Sequence, residues 1–236
     1  DKLPIKRVIQ SRFDDGEIIE MDFAQLEFRV AAFLSQDSQA IQDILEGVDV
    51  HQNTANVIGC DRQTAKAHTF KPLYGGMSGT DEEKKYYSYF RKRYKGITLW
   101  QEKTEDTAIS TSFVTLPSGR QYYFEGIKRA SWGGSNFYTQ VRNYPVQGFA
   151  TGDIVPVACI DIYKSMKNMR TRLINTVHDS IIIDVHPKEV DSVLNKLKKA
   201  CDGITQSINK RYNIDFNVPL DYEIKKGHNW LDLKRI

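Results

Sequence analysis

Two aspartates far apart in the chain stand where apolar runs stop: Asp22 in IIEMDFAQLEFR and Asp179 in LINTVHDSIIIDV. An acid at the end of a strand is a carboxylate fixed by backbone pairing at the rim of a sheet. Two such carboxylates, brought together, form a site for a pair of divalent cations, which is the chemistry of in-line phosphoryl or nucleotidyl transfer. Either segment read alone also fits an aspartate that simply ends a strand. A second array follows Asp61, a residue type that caps helices. Arg62, Lys66 and Phe70 recur every four residues and share one helical face, and Tyr74 follows four positions later, just past Pro72. Two cations, a flat ring and a phenol in file suit a nucleoside triphosphate, the cations holding phosphates and the rings packing on sugar and base. An exposed basic face above a core phenylalanine gives the same pattern.

The elements that must position these residues follow from periodicity and punctuation. Glu17 to Asp22 reads as a buried strand, and Leu26, Val30, Phe33 and Leu34 then fall on one side of a helix. Asp37 or Ser38 caps a short helix that Gly47 ends. Residues 51–110 read as helical, broken at Gly59, Pro72, Gly75, Gly76 and Gly96. Phe113 to Leu116 and Gln121 to Phe124, joined by Pro-Ser-Gly-Arg, read as a hairpin. Val146 to Lys167 reads as one long helix despite Gly148, Gly152 and Pro156. Leu173 to Val177 and Ile181 to Val185 form a second hairpin, turning at His178-Asp179-Ser180. Val190 to Tyr212 is an amphipathic helix, and Val218 to Ile224 a closing strand. The order predicts an α+β fold: an antiparallel sheet with packed helices, plus a separate, mostly helical lobe inserted between its parts.

Bulk composition bounds the function classes. The chain has 236 residues, 40% apolar and 27% charged, with a net charge of +3, too small to argue for nucleic acid by itself. Lys84 to Lys95 (KKYYSYFRKRYK) concentrates six cations and five rings, which fits phosphate contact and base stacking, or a solvated helix whose tyrosines pack inward. No apolar run spans a bilayer and no signal-peptide pattern is present. Cys60, Cys159 and Cys201 lack metal-type spacing and read as reduced thiols of a cytoplasmic protein.

DFAQLEFRVAAFLSQD, RQTAKAHTFKPLYGG and VHDS together resemble the three motifs, A, B and C, of family A DNA polymerases, the DNA polymerase I-like group. DVHQNTA, TLPSGRQYYF, NYPVQG and VPLDYEIKKGHNWLDL extend the resemblance over nearly the whole chain, in family order. It implies a palm from residues 1–35 and 137–236, and fingers from residues 36–136. It implies DNA-templated addition of dNTPs to a primer 3′-end with two Mg²⁺ ions, Mn²⁺ being an alternative, held by Asp22, Asp179 and the carbonyl of Phe23. Arg62, Lys66 and His51 would contact the triphosphate, with Lys66 also the proton donor to pyrophosphate; His51 equally fits a helix histidine without a ligand. Gln25 would join the nucleotide site, Glu27 would block a 2′-hydroxyl, Phe70 would pack on the nucleotide, and Tyr74 would stack near the templating base. Arg29, Gln147 and His178 would contact primer–template DNA; Gln147 is suited to minor-groove acceptors.

The sequence departs from the family pattern in places. Ser180 replaces the usual glutamate after the motif C aspartate, with Asp184 four residues on as a source of negative potential. Thr139 replaces a family arginine, with Arg142 nearby as a substitute, and Pro72 should bend the fingers helix or end it early. The family's helical thumb and exonuclease-like domain would precede Asp22 by more residues than this chain carries. The expectation is therefore palm and fingers alone: a split-polymerase subunit with the thumb on a separate chain, a processed product or an excised fragment. Compact loops and the diverged motif C resemble viral more than bacterial members, which would place the protein in a host cytoplasm. Two other readings compete. A single-subunit RNA polymerase relative is disfavoured by Glu27, and a non-catalytic DNA-binding subunit by intact Asp22, Asp179, Arg62 and Lys66.

Overall fold

A computed structural model describes residues 4–76 and 78–236 and, of Lys66 and Ala67, the backbone only. In chain order the elements begin with β1 (Glu17–Phe23), α1 (Leu26–Ser35), α2 (Ser38–Leu45), α3 (Val50–Ile58), α4 (Arg62–Thr69), α5 (Asp81–Arg93) and α6 (Lys95–Thr111). A hairpin of β2 (Phe113–Thr115) and β3 (Gln121–Tyr123) leads to α7 (Tyr138–Phe149), a π-helical turn at Ala150–Ile154 and α8 (Val155–Ser165). The chain closes with β4 (Arg172–Val177), β5 (Ser180–Val185), α9 (Val190–Asp202), α10 (Ile204–Tyr212), β6 (Tyr222–Gly227) and β7 (Lys234–Arg235). The fold is α+β, as the pattern predicted. No helix among the described residues is long and apolar enough to cross a membrane.

The chain forms two compact units. A sheet unit comprises Asp1–Leu26, Ala150–Asp215 and Leu220–Ile236. Its antiparallel sheet runs β4-β5-β1-β6-β7. The interior strand β5 is buried along its whole length, which explains the unbroken run Ile181-Ile182-Ile183: a strand covered on both faces needs no polar alternation. The edge strand β4, which leads to Asp179, is largely exposed rather than buried, because it has a neighbour on one side only. Ile18 and Ile182 pack with Trp230 on the sheet face that carries Glu20 and Asp22.

A helical unit comprises Glu27–Phe149 and Phe216–Pro219. Its core centres on α5, whose Tyr86, Tyr87 and Phe90 are essentially inaccessible. Asp43 of α2 takes both Arg93 nitrogens at 2.8 and 2.6 Å and the Tyr94 hydroxyl at 2.8 Å, so this buried carboxylate is paired and hydrogen-bonded.

Three elements differ from the sequence reading. The helix expected from Val146 begins at Tyr138, runs through Pro145 and passes through the π-helical turn into α8, where Pro156 lies in the first turn and needs no N–H partner. The amphipathic stretch Val190 to Tyr212 is two helices separated at Gly203, a poor helix former. The closing strand starts at Tyr222 rather than Val218, since Pro219 has no N–H for a ladder.

Candidate functional site

In the sheet unit, β1 delivers Asp22 directly opposite Ser180 of β5, and Asp179 sits in the turn just before Ser180. The turn closes because His178 adopts a left-handed conformation, with φ 54°. The Phe23 amide donates to the Asp179 carbonyl at 3.2 Å, which with the β1–β5 ladder locks the two motifs together, and the Ala24 amide donates to the Asp221 carbonyl before β6 at 2.8 Å. The Asp22 and Asp179 carboxyls are close enough to share a hydrogen bond. Burial, and then the neighbouring Asp179 charge, push the Asp22 carboxyl up to about 6 against the pull of Lys225. A half-buried carboxylate pair that resists full ionisation favours a divalent cation, whose charge removes the repulsion. Among the described residues no group of three or more His, Cys, Asp or Glu side chains stands ready for a metal. Two carboxylates plus oxygens from water or a phosphate substrate is the donor set that suits Mg²⁺.

The surroundings of this pair correct one expectation and add two residues. Asp184 does not supply spare negative potential: it is 4% exposed, accepts from the Ser11 hydroxyl at 2.6 Å and pairs with Arg12 at 3.2 Å. Four residues along an extended strand also carry it roughly 13 Å from Ser180. Ser180 turns its hydroxyl to the Val177 carbonyl at 3.0 Å, closing the turn. The added residues are Glu20 and Lys225, directly opposite each other on β1 and β6 and both acting on the Asp22 charge. Glu20 accepts from the Trp230 indole at 2.6 Å and pairs with Lys225 at 3.7 Å. Two-residue alternation from Asp22 points to Glu20; Lys225 needed the strand register.

In the helical unit, Asp61 caps α4, accepting from the Thr64 amide at 3.0 Å. Arg62 follows and donates to Asp49 at 2.7 Å, an ion pair with both side chains partly exposed. Burial alone would raise the Asp49 carboxyl, but hydrogen bonds from Arg62 and from the Gln52 and His51 amides hold it below its usual value. His51 is 5% exposed, its Nδ1 3.0 Å from the Thr69 hydroxyl and its ring edge-on to Phe70 at 5.1 Å. Helix α4 ends at Thr69, as Pro72 predicted; Phe70 is its C-cap and Tyr74 closes a 3-10 turn over Pro72–Tyr74. Gly75 follows with φ 81°, and a Cβ there would come within 2.9 Å of the Arg142 side chain. The Lys66 side chain lies outside the described residues.

The remaining candidates fall in both units. Gln147 donates to Glu27 at 3.1 Å, a contact that no sequence pattern indicated across this separation. Arg29 is 6% exposed and donates to the Pro219 carbonyl at 2.6 Å. In the sheet unit, Gln25 takes a left-handed conformation, φ 53°, in the turn after β1, and His178 is exposed beside Asp179. Arg142 is committed to Glu105 at 2.9 Å, which leaves it poorly placed to replace the arginine missing at Thr139. On α5 the inward-packed reading holds: four of the five rings are buried, and Lys84, Arg91 and Arg93 pair with Asp81, Glu102 and Asp43. The sheet unit thus brings Asp22, Phe23 and Asp179 together. The helical unit groups His51 with Phe70, pairs Arg62 through Asp49 with the start of the His51 helix, and joins Glu27 to Gln147.

Comparison with known proteins places this arrangement. The model of DNA polymerase family A matches residues 2–232. DNA polymerase I of Caldicellulosiruptor bescii is 28% identical over 238 residues, which is 92% of this chain and 27% of that protein. The thermostable DNA polymerase I of Thermus aquaticus is 25% identical over 236 residues, again 92% and 27%. The POL domain of Pol1 from M. smegmatis, solved in complex with DNA primer-template and dNTP, has the same fold, with a TM-score of 0.74 at 22% identity over 97% of this chain and 42% of that one. The chain therefore spans about a quarter of the length of the curated relatives it matches. These relatives are bacterial and give no support to a viral type.

Proposed function

This chain belongs to DNA polymerase family A, and from that membership we propose that it carries the catalytic palm and fingers of a DNA-templated DNA polymerase, residues 1–35 and 137–236 forming the palm and 36–136 the fingers. The observation that carries the reading is the Asp22–Asp179 pair, held by backbone bonds with the Asp22 carboxyl pushed up to about 6. Asp22, Asp179 and the Phe23 carbonyl would hold two Mg²⁺ ions, or Mn²⁺. When bound, such cations lower the pKa of a primer 3′-hydroxyl and neutralise charge on the departing pyrophosphate.

The chain's other residues bind and orient. Arg62 would leave Asp49 for the triphosphate, since a guanidinium pairs with phosphate oxygens at least as well as with a partly exposed carboxylate. Lys66 would hold the phosphates and return a proton to pyrophosphate. The Thr69 bond sets the His51 ring against Phe70, which would fix both for phosphate and sugar contact. Glu27, oriented by Gln147, would fill the space of a 2′-hydroxyl and so select deoxyribose. Gln25 would line the nucleotide site, Tyr74 would stack by the templating base, and Arg29, Gln147 and His178 would touch primer–template DNA. A thumb supplied by residues other than these 236 would add grip on the duplex.

Extension of a primed template tests the reading. Wild-type protein should extend with Mg²⁺ and stop when the metal is chelated. Asp22→Ala and Asp179→Ala should each lower the rate by about 10³-fold or more, the scale of losing the electrostatic stabilisation of a phosphoryl-type transition state. Extension that survives both substitutions would remove the carboxylate pair from the mechanism.

A further inference from the structure

Helices α8, α9 and α10 of the sheet unit each turn one face to a shared groove that contains none of the candidate site residues. The face of α9 carries Lys196 and Lys199, with Gly203 between it and α10; that of α8 carries Asp161, Lys164 and Ser165; that of α10 carries Gln206, Ser207, Lys210 and Arg211. Two adjoining hollows of about 430 and 370 Å³ share Asp161, Lys164 and Ser207. Five cations therefore face one carboxylate. None of the five has an ion pair among the described residues. Clustered cations without counter-charge repel one another, and an anion laid among them removes that cost.

We infer that this groove binds the phosphate backbone of single-stranded DNA. The charge is right and the lining fits the choice. Gln206 and Ser207 interleave neutral donors among the cations, as phosphate oxygens require. Besides polar residues the larger hollow offers only Ala200 and Gly203 and the smaller only Val157 and Ile160, so the large aromatic anchors that hold a protein partner have little seat there. The site is concave between three helices, a shape that admits one strand more readily than the convex rod of a duplex. The contact is independent of sequence and separate from the Asp22–Asp179 centre.

The test is fluorescence anisotropy of the whole chain with a labelled thymidylate oligonucleotide, across about 50 to 200 mM salt. Reversing three charges (Lys196→Glu, Lys199→Glu and Lys210→Glu together) should weaken binding tenfold or more. It should also flatten the slope of log affinity against log salt by about 2, at about 0.7 per lost contact to a single strand. Reversal of Lys84, Lys85 and Lys92 on α5 changes net charge equally and should shift affinity by less than about twofold, because those lysines lie outside the groove. Affinity and slope unchanged in the groove variant would overturn the inference, and so would an equal loss in the α5 variant, which would mean diffuse attraction. Loss of polyglutamate binding with oligonucleotide binding retained would assign the groove to an acidic protein and overturn it too. If the charge-reversed chain fails to fold by circular dichroism, the triple Lys→Gln variant carries the same measurement. Asp22→Ala should retain this binding, so failure here and failure of the polymerase reading are distinct results.

Discussion

The carboxylate pair of the sheet unit and the cationic helix of the helical unit are prepared in opposite ways. Asp22 and Asp179 are pressed together by the backbone, and the Lys225 charge offsets only part of what burial and the neighbouring acid impose. Arg62, by contrast, rests against Asp49, and His51 rests against Thr69. One region keeps its repulsion and, on the proposed function, would gain from a cation. The other is neutralised at rest and would have to exchange a partner to hold a phosphate. Rigidity accompanies the first, since a strand and a tight turn cannot relax away from each other. The second sits on helix termini and long side chains, which can change partners at little cost.

After the loss expected of Asp22→Ala and Asp179→Ala, the largest effect on this contrast should come from the cationic side. Arg62→Ala should lower kcat/KM for dNTP about 100-fold, mostly through KM, the loss expected for a charge-assisted phosphate contact. Asp49→Asn separates the two roles of the resting pair, because asparagine still caps α3 while releasing Arg62. KM for dNTP should then stay equal or fall. A rise approaching that of Arg62→Ala, in single-nucleotide kinetics, would show that Asp49 positions Arg62 rather than competing for it.

The sequence carried the two regions unequally. The acids were legible because strand chemistry is local: an apolar run, then Asp22; another, then Asp179. The Asp61 cap and the early stop imposed by Pro72 were legible for the same reason. What could not be read was side-chain pairing over long separations. Asp184 looked like a reserve acid until Ser11 and Arg12 were seen to hold it, and Arg142 like a spare arginine until Glu105 was. Asp49 looked like a helix cap with no bearing on Arg62. Helix continuity also misled: apolar periodicity runs through Gly203 and across Pro145 without revealing the break at one or the unbroken turn at the other.

A smaller effect tests whether the Glu27–Gln147 contact belongs to either region. Glu27→Ala should cut discrimination between dCTP and CTP, measured as the ratio of kcat/KM values, by about 10- to 100-fold. Gln147→Ala leaves the carboxylate in place without its 3.1 Å partner and should cut the ratio only a few-fold, the worth of one hydrogen bond to a charged group. The double variant should match Glu27→Ala on this ratio. A further, additive loss would mean that Gln147 acts on selectivity by a route other than Glu27.

The smallest effect concerns the resting protein. The Asp22 carboxyl titrates at about 6 in the fold against 3.8 when unperturbed, so the native state binds a proton more readily than the unfolded chain. Its charge therefore costs stability above pH 6, and that cost fades as pH falls toward 4. Asp22→Asn keeps the shape and removes the charge. In the absence of divalent metal at pH 7.5 it should raise Tm by a few degrees, from about 1 kcal/mol once solvent screening of a half-exposed group is allowed for. The advantage should fade as pH falls below 6, where the native wild-type carboxyl takes up its proton, and vanish near pH 4, where the unfolded chain's does too. Added Mg²⁺ should reverse the order, because the wild type then exchanges repulsion for coordination while the asparagine protein has little to gain. A wild type more stable than Asp22→Asn at pH 7.5 without metal would mean that the pair is relaxed at rest, and that the two regions are prepared alike.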